Sequence, residues 1–239
     1  MNGKPLLPTA CLLLLSLSAW GGGCKDVRVD AGTDATFLHT PEELFAPVKE
    51  SDKPLFPDQG GNKWTIRLMD SESGNEVQTL IGKRMISGIE CQVFRSARDG
   101  RAYREEYYIS NKSGIYQLGG GAGDQVIMVP PVPILTYPLE LGKTVEWQGG
   151  ISVPKGKVPA RAWSRFRGTE AIKVPAGSFK AYRTDTALEA NISGRLTVFT
   201  TARWFVPDIG IVKTRYVIRQ AGQPTKEFRR ELVRYEPAR

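Results

Sequence analysis

Short apolar runs of period two, cut at intervals by Gly, Pro, Asn or Asp, fill the chain from Trp64 onward. Trp64-Thr65-Ile66-Arg67-Leu68 alternates, and so does Ile89-Glu90-Cys91-Gln92-Val93. Residues 103–109, 115–118, 179–186, 196–206, 211–218 and 228–235 behave likewise. Successive side chains of a strand point to opposite faces, so such runs bury one face and wet the other. No long segment carries a 3.6-residue apolar period, so helices are not expected to build the core. Asp99-Gly100 suits a two-residue hairpin turn. Asn111-Lys112-Ser113-Gly114 and Pro207-Asp208-Ile209-Gly210 are further turns, the last with a glycine free to take positive φ. The pattern predicts a mainly β fold, an antiparallel curved sheet arranged as a half-barrel or sandwich.

A weak repeat underlies this pattern. Phe56-Pro57, Gly61 and Trp64 are echoed by Tyr137-Pro138, Gly142 and Trp147. Two similar halves, 55–125 and 136–239, packed into one domain would explain it; chance similarity between β segments is the alternative. Between the halves lies Val126-Ile127-Met128-Val129-Pro130-Pro131-Val132-Pro133-Ile134-Leu135. Its prolines argue against a central strand or a helix. It is expected either to cross over the core or to form the lip of a hydrophobic cavity.

The start of the chain fixes the compartment. Lys4, an apolar run containing Leu12 to Leu15, and Gly21-Gly22-Gly23-Cys24 make residues 1–23 a lipoprotein-type signal peptide. The run is too short to span a bilayer, which takes roughly 20 apolar residues. Cys24 is the expected lipidation site, and more than one acyl chain there would anchor the protein firmly. The small residues before Cys24 also suit ordinary signal cleavage, which would leave a soluble exported form. Residues 24–54 are polar and read as a tether to a β-rich domain at 55–239. The protein is therefore expected outside the cytoplasm, on a bacterial outer membrane or its periplasmic face.

The other cysteines agree. Cys11 leaves with the signal, so Cys91 stands alone without a disulfide partner. It lies in an alternating apolar run and is expected to be buried and inert. The formal charge of +8 is spread along the chain, with a dense patch at Lys226, Arg229, Arg230 and Arg234 beside Glu227 and Glu231. That patch is expected to be a solvated strand face, or else a contact for anionic headgroups. Nucleic acid is not an expected partner of an exported protein.

Sequence signals for chemistry are sparse. His39, the single histidine, sits in the tether, so no histidine-based triad or metal site is expected, and no cofactor. Gly142-Lys143-Thr144 lacks the first glycine of a phosphate loop, because position 137 is tyrosine. Gly119-Gly120-Gly121-Ala122-Gly123 reads as a mobile loop. Glu105 and Glu106 are adjacent, so on a strand they would face opposite ways as solvated charges. Asp208 and Glu170 are the carboxylates a hydrolase would draw on, but no acid–base set surrounds them. Trp64, Tyr108, Trp147 and Trp204, with Val129 and Ile134 from the proline-rich run, are the candidates for a concave ligand-binding face.

Three stretches carry a resemblance: Phe56-Pro57 with Gly61-Asn62-Lys63-Trp64, then Val174-Pro175-Ala176-Gly177-Ser178-Phe179, then Trp204-Phe205-Val206-Pro207-Asp208-Ile209-Gly210-Ile211-Val212-Lys213. Over residues 55–235 the chain resembles a TapB-like group of bacterial exported proteins, often lipoproteins. More distantly it is similar to the lipoprotein carriers LolA and LolB, which implies an open half-barrel around acyl chains. Neither likeness carries over a binding residue. The expected function is a non-catalytic binding or envelope-assembly module, held to the membrane through acylated Cys24. An apolar ligand or an envelope protein is its expected partner. A carrier of hydrophobic ligands is the alternative, and a hydrolase a more remote one.

Overall fold

A computed structural model describes residues 54–69, 74–122, 125–153 and 156–239. The signal segment, Cys24, His39 and nearly all of the tether lie outside these residues. The described chain forms twelve strands: β1 (Lys63–Met69), β2 (Gly74–Ile86), β3 (Ile89–Arg98), β4 (Arg101–Asn111), β5 (Gly114–Gly121) and β6 (Val126–Thr136), then β7 (Thr144–Val153), β8 (Gly156–Val174), β9 (Gly177–Ile192), β10 (Arg195–Val206), β11 (Gly210–Gln220) and β12 (Lys226–Glu236). Each pairs antiparallel with its neighbours in sequence, and β1 pairs with β12 from Lys63↔Glu236 to Met69↔Arg229. The sheet is thus a closed up-and-down barrel, not the half-barrel or sandwich expected from sequence. Closure satisfies the hydrogen-bonding edges that an open sheet would leave bare.

Local chemistry sets the hairpins. Ser87-Gly88, Asp99-Gly100 and Ser193-Gly194 are two-residue loops with positive φ at both positions. That is the primed turn whose twist matches the flanking strands. Gly120 has a different task. A Cβ there would lie 2.6 Å from the Glu105 carbonyl oxygen, so only glycine lets β4 and β5 approach so closely. Gly119–Gly121 therefore belong to β5, correcting the loop expected over 119–123; Gly123 lies outside the described residues.

Odd strands all start at one end of the barrel, which the segments before β1 and β7 cover. Phe56 packs there with ring centroids 5.1 Å from both Phe94 and Tyr108. Tyr137, its counterpart in the repeat, packs against the same cluster. Trp64, Leu80, Phe205 and Leu232 complete this plugged end. A second cluster, built on Val126, Met128, Trp147, Ile151 and Ile192, lies toward the opposite end. Cys91 is buried with Val93, Tyr107 and Leu118 in a third, on the reverse face of β3–β5, and burial raises its thiol pKa.

The proline-rich run forms β6, contrary to the expectation that its prolines would keep it out of the sheet. The structure also shows how they are tolerated. β6 pairs with β7 only at Ile127–Val129, opposite Gly150–Ser152, and the register ends where the prolines begin. Pro130 and Pro131 sit at a register shift, and from Val132 on β6 pairs with β5 alone. Side chains close the resulting seam: Trp147 Nε1 donates to the Pro130 carbonyl at 3.0 Å, and Ser164 Oγ donates to the Pro133 carbonyl at 2.5 Å.

Beyond the apolar cluster on β3–β5, the outer wall carries ion pairs. Arg95 and Arg84 hold Glu105, Arg161 holds Glu189, and Arg215 and Arg229 share Glu227. A barrel immersed in lipid instead presents an outward apolar band. Among the described residues no helix is long and apolar enough to cross a membrane.

Two measurements check this architecture. Phe56→Ala should destabilise the barrel by about 3–5 kcal/mol, the usual cost of emptying a buried aromatic site, read as a lower midpoint in urea. In hydrogen exchange, amides of residues 144–148 that point toward β6 should lose protection well before those of β9. Equal protection along both strands would contradict the open seam.

Candidate functional site

The interior is layered, and strand alternation decides the layers. On β2 the inward phase is Glu76, Gln78 and Leu80; on β4 it is Arg104, Glu106 and Tyr108; on β12 it is Arg230 and Leu232. Above the aromatic plug these strands therefore place charges inside the barrel. Arg230 donates to Glu76, and its Nη1 reaches Glu106 Oε2 at 3.4 Å. Arg104 Nη2 lies 3.3 Å from Glu76 Oε1 and 3.8 Å from Glu106 Oε2. Gln78 Nε2 donates to Glu106 at 2.7 Å, and the Tyr103 hydroxyl donates to Glu76.

Taking such ions out of water costs several kcal/mol each, offset only by close pairing. Burial pushes the Glu106 carboxyl up, but Arg104, Arg230 and Arg203 together outweigh it and hold the group at about 2. Glu76 is also lowered, with Arg230 and Arg104 overcoming its burial. Burial and the adjacent Glu106 raise the Tyr108 hydroxyl. Two neighbouring carboxylates can suggest an acid–base pair, but these stay ionised at neutral pH and have no proton to donate. They act as fixed charge.

Arg203 stands apart. It is 97% buried on β10, and its Nη2 donates to Gln117 Oε1 at 2.8 Å. No carboxylate reaches ion-pair distance, and its Nε and Nη1 have no partner among the described residues. Arg203 and Gln117 line a cavity of about 70 Å³, walled by Val126, Met128, Ile151 and Phe199. One water needs roughly 10–15 Å³, so the space holds several waters or part of an organic chain. A smaller space of about 30 Å³ lies among Phe56, Trp64, Tyr108, Glu106 and Arg230, and Tyr216 lines both.

The sequence candidates scatter over this frame. Ile134 lines the larger cavity, while Trp64 and Tyr108 line the smaller one within the aromatic plug. Trp64 Nε1 donates to the Ile209 carbonyl at 2.7 Å. Trp147 bridges the β6–β7 seam, and Val129 is partly exposed beside it. Trp204 is caged: its indole donates to Glu170, and Arg183 and Lys213 lie 5.2 and 5.5 Å from its ring centroid. Glu170 is thus engaged with a tryptophan and with Arg183, 3.8 Å away. Asp208 sits in the β10–β11 turn with φ of 64°.

Two expectations need correction. Glu105 and Glu106 do face opposite ways, but only Glu105 is on the outer wall; Glu106 is buried. Arg230, expected on a solvated face with Lys226 and Arg234, is buried as well. Sequence reading passed over Glu76, Arg104 and Arg203 altogether. The usable signal was phase, since Arg104 and Glu106 alternate with Tyr108, and Arg230 shares its face with Leu232.

No protein-family model and no curated protein matches the chain. Two solved structures do. One is a protein assigned as exported, with a YmcC-like fold, from Bacteroides fragilis: 13% identity, TM-score 0.46, covering 76% of this chain and 98% of that one. The other is a protein assigned as a lipoprotein from Parabacteroides distasonis: 14% identity, TM-score 0.42, covering 78% and 100%. Neither is described as TapB-like or as a LolA or LolB carrier, and the closed sheet departs from the open half-barrel that the carriers' likeness implies.

The charged belt gives a pH signature. Glu76 and Glu106 have lower pKa values folded than unfolded, so their stabilisation is complete above the unfolded carboxyl value, roughly 4.3. It drains away as pH falls from there through the folded value, about 2 for Glu106. Glu106→Gln should lower stability at pH 7 by about 3–5 kcal/mol, because it leaves arginines buried without their partner. The gap between variant and wild type should shrink between pH 4.5 and 2. A gap independent of pH, followed by thermal melts, would contradict the ion network.

Proposed function

We propose that the protein is an exported, lipid-anchored binding module that shelters an apolar ligand inside its barrel. One observation carries the reading: an apolar chamber is left unfilled in a barrel whose other end is plugged by Phe56 and its aromatic neighbours. Protein interiors are otherwise close-packed, and apolar pockets with a few convergent polar groups are where small molecules bind. Export and anchoring rest on the sequence, through Lys4, the Leu12–Leu15 run and Cys24. Acylation of Cys24 would hold the barrel at a bacterial outer membrane or its periplasmic face.

The competing reading, contact with envelope proteins through sheet edges, loses support from the closed ladder. Strand addition needs a free edge; β1 and β12 occupy each other's, which leaves only the short β6–β7 seam that Trp147 and Ser164 bridge. A carrier that delivers its ligand and a receptor that only senses it would share this chamber.

Native mass spectrometry of the full chain, purified from its membrane, should show a co-purifying apolar compound. Leu188→Trp, which places an indole in the chamber, should abolish that adduct while the circular dichroism spectrum is unchanged. An adduct surviving in the variant, or a wild-type chain that takes up no apolar compound, would overturn the reading.

A further inference from the structure

The chamber is apolar along most of its wall but not at Arg203 and Gln117. Deep in the barrel, Arg104 and Arg230 pair with Glu76 and Glu106. Arg203 is a further guanidinium beside them, with no carboxylate at ion-pair distance among the described residues. Arg104 and Arg230 both contact carboxylates, whereas Arg203 contacts only the neutral Gln117 oxygen. Arg203 is itself part of the chamber lining, and its two remaining nitrogens have no partner among the described residues. An isolated buried charge is costly, and the cost is relieved by an anion that accepts from the guanidinium edge.

On the reading of the barrel as a shelter for an apolar ligand, we infer that the ligand is a single-chain carboxylate amphiphile, its head on Arg203 and its hydrocarbon among Met128, Ile151 and Phe199. A carboxylate matches the planar fork of a guanidinium through two parallel hydrogen bonds. It also brings a negative charge to a buried guanidinium that has no carboxylate partner among the described residues. A phosphate monoester would bring nearly two and meet repulsion from Glu106. Gln117 positions the site by accepting from Nη2 and so orienting the guanidinium; a carboxylate fork would share Nη2 through its second hydrogen. Neutral Thr201 and Thr186 also line the chamber, so Arg203 is the group that selects for charge.

The test uses the full chain, stripped of bound lipid on a hydrophobic resin and titrated calorimetrically at pH 8 with octanoate, 1-octanol and octyl phosphate. Octanoate should bind at least about tenfold more tightly than 1-octanol, in line with the strength of charge-assisted hydrogen bonds. Arg203→Met should erase that preference and leave 1-octanol binding in place, which also reports that the variant is folded. Should Arg203→Met fail to fold, the wild-type preference decides, supported by its reduction in Gln117→Leu. Equal binding of octanoate and 1-octanol would overturn the carboxylate inference, with water satisfying Arg203, and leave the apolar chamber standing. Tighter binding of octyl phosphate would overturn the single-charge assignment. Binding of none of the three would overturn the chamber reading together with this one.

Discussion

The ladder between β1 and β12 is the constraint on which the rest of the structure depends. It joins Lys63–Met69 to residues near the C-terminus and turns a meander into a tube with an inside and an outside. Once the tube exists, alternation acquires a second meaning. In an open sheet one face is core and the other solvent. Here the inward phase must also decide what fills a long, narrow interior, and it does so in tiers: aromatics, then charges, then an apolar chamber.

The charged tier is costly, and its position explains why it is tolerated. Each carboxylate meets two guanidinium groups, and Gln78 and Tyr103 occupy further acceptor sites. Replacing such a network by hydrocarbon often leaves stability unchanged or improved. Its value here lies in fixing a field inside the barrel. Arg203, set beside the network but outside its ion pairs, brings a positive charge to the chamber wall.

Much of the fold was legible in the sequence because hairpins are local. Asp99-Gly100 announced its turn, and the runs around Trp64, Cys91 and Tyr107 announced their strands. Closure was not legible, because Lys63 and Glu236 meet across nearly the whole domain and nothing in either segment names the other. The proline-rich run misled for a different reason. Proline forbids a full ladder on both sides, but β6 needs only β5 after Val129, so a strand survives with half its bonds. The charged belt was hidden by composition: a stretch such as Lys226-Glu227-Phe228-Arg229-Arg230 looks wet, and only its phase relative to Leu232 shows that Arg230 turns inward. Ile134 was found because it is greasy, and Arg203 was missed because it is not.

Pairing of the earliest strand with the latest has a temporal consequence. While the polypeptide emerges residue by residue, Lys63–Met69 must wait with one flank bare until the final strand arrives. No volume is enclosed until Lys63–Met69 meets Lys226–Glu236, because every other ladder taken alone leaves the tube slit along its length.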